Sequence, residues 1–209
     1  MDFTIEMARQ LIKRTHQNIE SNKKYLEELD SLMGDGDLGL TMTKGFAAAQ
    51  QYAEQSEDTD IGKFFMKIGT TFSKAVPSTM GTLMASAFLS AGKAVSAAEK
   101  LSEEQLGVFF VAFAEGVQKR GKCKLGDRTI FDVLYPTGIA ISEAAQQKKD
   151  FESISEIAYK TAQEELENTK QMSPTTGKAL YHADKSKGVP DQGAVVGMIV
   201  FQSFYELFH

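Results

Sequence analysis

Three aspartates lie close together in the segment LDSLMGDGDLGLTM, which covers residues 29–42. Asp30, Asp35 and Asp37 are interleaved with glycines, and such a stretch forms helix poorly because aspartate competes for local backbone hydrogen bonds. The segment is therefore predicted to be a loop between two helices. Crowded carboxylates repel one another unless a hard cation draws them together, and a ligand set made only of oxygens suits Mg²⁺ or Ca²⁺ better than zinc.

An ordinary turn and a calcium loop both compete with a magnesium site in this segment. Aspartate and glycine are common turn formers, so the spacing by itself is compatible with a turn that binds nothing. An EF-hand loop that began at Asp35 would need a bidentate glutamate eleven residues later, where Phe46 stands. Calcium sensing is therefore disfavoured, while the magnesium site and the simple turn both stay open.

The residues after the acidic aspartates could bind an anion. Gly39 and Thr41 are predicted to open the next helix, and the N–H groups at a helix N-terminus attract phosphate. A phosphate there could bridge a metal ion and the backbone. The sequence has no G-x-x-x-x-G-K-[ST] motif and no strand-linked G-x-G-x-x-G motif. Any nucleotide site must therefore be built from helices.

The elements that position these residues are predicted to be helices throughout. No run alternates apolar and polar residues as a half-buried strand would, which predicts an all-α fold. Two capping-box patterns, at 102–105 and 153–156, predict helix starts, and Pro136 predicts a kink or break. Helical stripes are predicted over about residues 3–20, 40–55, 61–74, 82–97, 106–117, 129–147, 152–170 and 195–208.

Length and composition are those of one folded domain spanning residues 1–209. Hydrophobic residues make up 42% of the chain and charged residues 24%, which is ordinary globular usage. The net charge of −5 and the lack of a long basic block argue against a nucleic-acid partner. Cys123 is the only cysteine, and the N-terminus does not resemble a signal peptide. We therefore expect a cytoplasmic protein that contacts neither nucleic acid nor membrane.

Further glycine-containing segments could complete a nucleotide site. Residues 76–83 place two hydroxyls and Gly81 before a helix, although a plain helix cap accounts for that segment more simply. Residues 119–132 combine glycines with a basic cluster that is typical of a solvated turn. Near the C-terminus, Lys178 is a candidate phosphate partner and Asp191 a candidate N-cap of the last helix.

Taken in order, the motifs LDxxxGDGDxG, RGKxxxGDxT and GKAxYxxxxSxGxxDxGA resemble the L subunit of dihydroxyacetone kinase, the DhaL or Dak2-type family. The resemblance runs from about residue 5 to the C-terminus. It implies a closed barrel of about eight antiparallel helices with ADP or ATP at one end. It also implies a pair of Mg²⁺ ions held on the nucleotide phosphates by Asp30, Asp35 and Asp37. The implied nucleotide contacts are Leu38, Gly39, Leu40, Thr41, Thr79, Met80, Gly81, Gly121, Ile130, Lys178, Asp191 and Gly193.

The resemblance also implies a partner and a donor. A separate K-type subunit holds a short ketose such as dihydroxyacetone, and the L subunit presents the phosphoryl donor. That donor is either exchangeable ATP or bound ADP recharged by a phosphohistidine protein of the sugar phosphotransferase system (DhaM-type). The chain ends after the L domain, which favours the second version. The widely separated His16, His182 and His209 form no catalytic constellation. Stabilisation of the phosphoryl group during transfer would therefore come from metal ions and Lys178.

Several positions depart from the family's motifs. Leu38 and Thr41 stand where the family has His and Asn, and Lys178 replaces an arginine whose planar bidentate contact lysine cannot make. PSTMG at 77–81 replaces a Gly-Gly-x-Ser-Gly loop, and DQGA at 191–194 replaces DPGA. These changes predict a divergent paralogue.

Three alternatives follow from the departures and from the weakness of each motif taken singly. The first is an ATP-dependent kinase subunit for another ketose such as erythrulose. The second is a nucleotide-binding regulatory module that signals to a transcription factor without catalysis. The third is a helical packing domain whose acidic segment is merely a turn.

Overall fold

A computed structural model of the chain describes residues 2–176, 179–180 and 183–209. Helices dominate the described part, and two short strands accompany them. The elements in chain order are β1 (Phe3–Thr4), α1 (Ile5–Ser21), α2 (Lys23–Met33), α3 (Leu38–Gln55), α4 (Ile61–Ala75), α5 (Thr79–Ala94), β2 (Lys100–Leu101), α6 (Glu103–Gly121), α7 (Phe131–Gln146), α8 (Phe151–Thr169), α9 (Ala183–Ser186) and α10 (Gln192–Tyr205).

The long helices form a closed ring. Each of the five helices α3 to α7 packs against the next helix along the chain, α8 packs against α10, and α10 and α3 both pack against α1. Helix α2 continues the path of α1 after Asn22 and packs on α3. Short connections make neighbouring helices antiparallel. The predicted all-α barrel of about eight helices is therefore confirmed.

Phenylalanine side chains fill the centre of the barrel. Phe88 from α5 meets Phe113 from α6 edge-on, with ring centroids 5.0 Å apart, and Phe110 contacts Phe201 of α10 at 5.3 Å. Edge-to-face pairs of this kind add to the stabilisation from burial. A cavity of about 10 Å³ remains between these rings, which is the space of roughly one water. The space between these rings is therefore too small for anything larger than a water molecule.

Two helix boundaries differ in how well the sequence predicted them. The capping box at the start of α6 is confirmed, because Gln105 N–H donates to Ser102 Oγ at 3.3 Å and Ser102 N–H donates to Gln105 Oε1 at 3.0 Å. The box predicted at 153–156 is wrong. Helix α8 begins earlier, at Phe151, where the Asp150 carboxylate accepts from the Ser153 N–H.

Three features of the elements differ from the sequence prediction or were absent from it. Of the kink or break predicted at Pro136, the break does not occur, because helix α7 runs through this residue; one proline removes a single helix hydrogen bond that the surrounding packing can offset. Helix α2 was not predicted as an element of its own. A two-residue antiparallel ladder in which Phe3 pairs with Leu101 accompanies the all-α fold; no alternating run in the sequence indicated it.

The antiparallel order places many helix ends together. Helices α2, α6 and α8 end, and α3, α5, α7 and α10 begin, at what we call the acidic end of the barrel, because Asp30, Asp35 and Asp37 lie there. Within the described residues, no helix is both long enough and apolar enough to span a membrane.

Candidate functional site

The start of α10 brings the predicted segments together at the acidic end. Gln192 Nε2 donates to Asp30 Oδ1 over 3.4 Å, which ties α10 to α2. Gly193 lies against Met80 and Ile130, since a Cβ built on it would be 2.9 Å from Met80 Cε and 3.4 Å from the Ile130 nitrogen. Segments that are far apart in the sequence therefore meet around the first turn of α10.

The acidic loop, residues 34–37, joins the end of α2 to the start of α3. Gly36 has a φ of +74°, a left-handed conformation that glycine adopts without strain. A Cβ at Gly34 would collide with Asp30 Oδ1, so the chain needs a glycine to pass this carboxylate. The predicted loop between two helices is confirmed, while Asp30 itself belongs to the last turn of α2.

The three aspartates form one cluster. Asp30, Asp35 and Asp37 each offer a carboxylate oxygen, and these oxygens all lie within 4.8 Å of one another. Asp30 is buried, whereas Asp35 and Asp37 are exposed. The N–H groups of Asp37 and Leu38 donate to Asp30 Oδ2 at 3.0 and 3.3 Å, which sets the direction of that carboxylate. An oxygen-only set that opens to solvent on one side fits a partly hydrated Mg²⁺ ion.

The electrostatics of the cluster also favour a cation. Burial raises the pKa of Asp30 above its ordinary 3.8, and the charges of Asp35 and Asp37 raise it further, against hydrogen bonds from the backbone of Leu38 and Asp37. A divalent ion among the three carboxylates would turn this repulsion into attraction and stabilise the ionised form of Asp30. The residues present therefore fit a magnesium ion.

The predicted anion site at the first turn of α3 lies next to this cluster. The N–H of Thr41 donates to the Asp37 carbonyl at 2.8 Å, which starts the helix. The first N–H groups of a helix have no acceptor within it, so those of Gly39 and Leu40 are available to a phosphate. The side chains of Leu38 and Thr41 are buried. The two departures from the family motif therefore point into the protein rather than into solvent.

The start of α5 contributes a second helix N-terminus. Ser78 Oγ accepts from the Gly81 N–H at 3.0 Å, and the helix begins at Thr79. The prediction that Gly81 precedes the helix is wrong, because this glycine lies in the first turn, where a Cβ would collide with the Val76 carbonyl oxygen. Ser78 is therefore the N-cap of α5, and the contacts of this segment with a nucleotide stay predictions. Thr79 is exposed and Met80 half-buried.

The loop between α6 and α7 is tied to its neighbours at both ends. A Cβ on Gly121 would lie 3.2 Å from Leu83 Cδ2 on α5. Asp132 Oδ1 accepts from the Gly126 N–H at 2.6 Å, and its Oδ2 accepts from the Thr129 N–H at 2.7 Å. These bonds hold the loop against the first turn of α7, which places the buried Ile130 beside Gly193.

Arg128 is buried, with 2% of its surface exposed, although its segment was predicted to be a solvated turn. Its Nε donates to the Thr169 carbonyl at 3.2 Å, and its Nη2 donates to the Val189 carbonyl at 2.8 Å. Its Nη1 contacts Met33 Sδ at 3.4 Å. One guanidinium therefore holds the ends of α2 and α8 and the segment before α10 together, so the prediction of a solvated turn is wrong for this residue.

Asp191 is the N-cap of α10, as predicted. Its Oδ1 accepts from the Ala194 N–H at 2.8 Å, and its Oδ2 lies 3.7 Å from Arg128 Nη1. Burial raises the pKa of Asp191 from 3.8 to about 6 and the nearby charge of Asp132 adds to the rise, although Arg128 and backbone N–H donors oppose it. This carboxylate therefore holds the start of α10 in place below the acidic loop.

A concave surface lies at the opposite end of the barrel from the acidic cluster, between α1 and the end of α3. This groove of about 430 Å³ is lined in part by Glu6, Arg9, Lys13 and Glu54. Arg9 is already engaged, with Nη1 3.5 Å from Glu6 Oε2 and Nη2 donating to the Ser56 carbonyl at 2.8 Å. None of the described residues that line this groove belongs to the predicted site. The acidic end is therefore the candidate functional site.

The structure places most predicted site residues together but leaves their contacts with a nucleotide as predictions. Lys178 lies outside the described residues. Sequence reasoning missed two residues that organise the site, Gln192 and Arg128. A polar residue directly after a predicted N-cap was a usable signal for Gln192. No sequence signal marked Arg128, because the sequence of a basic loop does not distinguish a buried arginine from an exposed one.

Comparison with known proteins agrees with this fold. The DAK2 domain model matches residues 32–206. The chain therefore belongs to the DAK2 domain family. In fold it is similar to the crystal structure of the dihydroxyacetone kinase of C. freundii, with a TM-score of 0.76 and 21% identity over 98% of this chain. The chain spans 35% of that longer protein. Another structure of that kinase, in complex with AMP-PNP and Mg²⁺, has a TM-score of 0.74.

Curated relatives match the chain over nearly its whole length. One is the ADP-binding subunit DhaL of a PEP-dependent dihydroxyacetone kinase from Listeria innocua, which is 29% identical over 99% of this chain and 98% of that protein. The DhaL subunit from Escherichia coli is 31% identical over 87% of each chain. An L-erythrulose kinase from Pectobacterium atrosepticum is 27% identical, but the match covers only 30% of that protein.

Proposed function

We propose that this protein is the nucleotide-binding subunit of a dihydroxyacetone-type kinase, a phosphotransferase in which residues 1–209 form a single DhaL-like domain. The observation that carries the proposal is the cluster of Asp30, Asp35 and Asp37, whose oxygens lie within 4.8 Å of one another beside the first turn of α3. Relatives of nearly the same length are named ADP-binding subunits of such kinases. We propose the cytoplasm as its location, as the sequence led us to expect.

The proposed ligand is ADP or ATP with magnesium, two ions in the complete site. The three carboxylates would hold the metal, which when bound neutralises phosphate charge and aligns the transferring group. The first turns of α3 and α5 offer backbone N–H groups to the phosphates. Met80, Ile130 and Gly193 form an adjoining, largely apolar wall, which suits the base or the sugar. Lys178 keeps its proposed role as a phosphate contact.

A partner is proposed because the relatives of matching length are named as subunits of a kinase. Exposed leucines support a covering partner at the acidic end, where Leu32, Leu40, Leu125 and Leu180 are 40–51% exposed. We propose that a K-type subunit, which carries the ketose, docks over this end. Dihydroxyacetone is the proposed ketose.

The proposed phosphoryl source is a phosphohistidine protein of the phosphotransferase system, DhaM-type, that recharges bound ADP. The names of the relatives favour it, since three of them are PEP- or PTS-dependent ADP-binding subunits. An ATP-dependent subunit for erythrulose is the second candidate, and a nucleotide-binding regulator of transcription the third.

The first test asks whether the protein holds a nucleotide. Purified protein is denatured and the released small molecules are separated by chromatography, and native protein is heated with ADP, with and without Mg²⁺. We expect released ADP, or a rise in melting temperature that requires both ligands. Asp35→Asn should remove the Mg²⁺-dependent rise and leave far-UV circular dichroism unchanged. Glu99→Gln, an exposed carboxylate at the opposite end, is the matched control and should behave like the wild type.

The second test separates the candidates for function. The protein is mixed with a K-type subunit and dihydroxyacetone or erythrulose, with PEP and phosphotransferase proteins in one arm and ATP in the other. Phosphorylation in the PEP arm alone is expected. Transfer in the ATP arm alone would favour the second candidate. ADP binding without transfer in either arm would leave the regulatory candidate and refute the kinase.

A further inference from the structure

Gln192 is the first residue of α10 and stands directly after the N-cap Asp191. The cap bond from the Ala194 N–H to Asp191 Oδ1 holds the helix start, so the Gln192 backbone has little freedom. From there its side chain reaches α2, where Nε2 donates to Asp30 Oδ1 over 3.4 Å. Its other amide atom, Oε1, is buried and has no hydrogen-bond partner among the described residues.

Asp30 shows why this contact matters. Its Oδ2 is held by the N–H groups of Asp37 and Leu38, and Gln192 is the donor at Oδ1. A carboxamide neutralises no charge and does not titrate. It directs the free oxygen of Asp30 without competing with a cation for the site, as a lysine or arginine in the same place would.

The chemistry of the unpartnered Gln192 Oε1 limits the kind of group that it can contact in the complete site. The bond to Asp30 fixes the orientation of the amide, because turning it over would set two acceptor oxygens against each other. A buried acceptor needs a donor. Phosphate and carboxylate oxygens only accept, whereas magnesium in proteins keeps several waters, each polarised into a strong donor. An amide that bonds to a metal ligand lies within reach of such a water.

We propose that Gln192 is a positioning residue of the metal site: its Nε2 orients Asp30, and its Oε1 accepts a hydrogen bond from a water bound to the metal. This inference rests on the proposed function, and it adds a residue from the other end of the chain to a site otherwise built by one short loop. The Gln192 side chain touches the metal only through Asp30 and a water. Its loss should therefore weaken metal binding without abolishing it.

Metal affinity is the direct measurement. Mn²⁺, which replaces Mg²⁺ and is visible by electron paramagnetic resonance, is titrated into full-length protein with ADP present. Gln192→Met keeps the length of the side chain and removes both hydrogen-bonding atoms. We expect the Mn²⁺ dissociation constant to rise about 10- to 100-fold, the range usual for residues that orient metal ligands. Gln146→Met, at the exposed end of α7, is the control and should leave the constant unchanged.

A purely structural role must be distinguished from positioning. Each variant is therefore melted without metal or nucleotide, and the apo melting temperature of Gln192→Met should stay close to that of the wild type. Gln192→Ala provides a second removal of the amide, because alanine is well tolerated in a helix. Both variants should lose affinity together. A fall in apo stability that accounts for the whole change in Mn²⁺ binding would overturn the proposal.

The outcomes separate this inference from the proposed function. Wild-type protein that binds Mn²⁺ and ADP, with both Gln192 variants within twofold of it, would refute the role of Gln192 and leave the kinase proposal standing. Wild-type protein that binds neither ligand would refute both. Weakened Mn²⁺ binding in both variants, with unchanged apo stability and an unchanged control, is the supporting result.

Discussion

Replacing Arg128 with methionine is expected to destabilise the protein by about 3–5 kcal/mol near pH 8, the range found when one partner of a buried ion pair is removed. Methionine matches the length of the arginine stem but carries no charge and no donor. The change leaves Asp191 buried without its nearest positive charge, 3.7 Å away in the native protein. It also removes the donors to the carbonyls of Thr169, Val189 and Ser186.

The size of the loss depends on pH in a way that identifies its cause. The pKa of Asp191 is already raised by burial to about 6, and removal of Arg128 should raise it further. A protonated Asp191 needs no counter-charge, so near pH 5 the loss should shrink toward the cost of the broken carbonyl bonds, about 1 kcal/mol each. Near pH 8 the variant must either bury a lone carboxylate or bind a proton against the bulk pH, and both are unfavourable.

Equilibrium unfolding in urea, followed by circular dichroism at both pH values, measures this difference through the midpoint and the slope. Arg128→Lys keeps the charge but not the planar fork, and should lose roughly half as much stability as Arg128→Met. Arg120→Met, an exposed arginine at the end of α6, is the control and should cost less than about 0.5 kcal/mol. A loss below about 1 kcal/mol at the higher pH, or a larger loss at the lower pH, would show that Arg128 does not carry the buried network.

Three other changes have defined outcomes. Asp191→Asn should flatten the pH dependence of the unfolding free energy between about pH 4 and 6. The raised pKa of Asp191 stabilises the folded protein fully below pH 3.8, and this stabilisation is lost as the pH rises through about 6. An unchanged pH profile would contradict this. Gly45→Ala should cost roughly 1–3 kcal/mol, because its Cβ would collide with the Phe72 ring, and an unaltered urea midpoint would oppose it. Ser102→Ala should cost about 1 kcal/mol through loss of the capping box, measured in the same way.

The helices and several of their caps could be predicted from the sequence because their determinants are local. The capping box at Ser102 and the N-cap at Asp191 each depend on residues within three positions, and those positions are adjacent in the sequence. The box at 153–156 failed for a related reason, since Asp150 offered an equally local cap one turn earlier. The break predicted at Pro136 does not occur, because packing against neighbouring helices outweighs one lost hydrogen bond.

The candidate metal site was predictable in part for the same reason. Asp30, Asp35 and Asp37 lie within eight residues of one another, so a single turn can assemble their carboxylates. Gly39, Thr41, Gly81, Lys178 and Asp191 were candidates from local patterns. The other site residues were inferred from a family resemblance, because their spacing carries no information about which helix ends meet. Their individual contacts with a nucleotide stay predictions.

Local sequence determined the helices, the acidic loop and the type of ion that would suit it. Only the tertiary structure decided that Gln192 reaches Asp30 across 162 positions of sequence, and that Arg128 is buried rather than solvated. The physical reason is that periodicity and capping are set by neighbours in the chain. Burial of a polar side chain is set by the elements that close around it, and here the ends of α2 and α8 and the segment before α10 enclose Arg128.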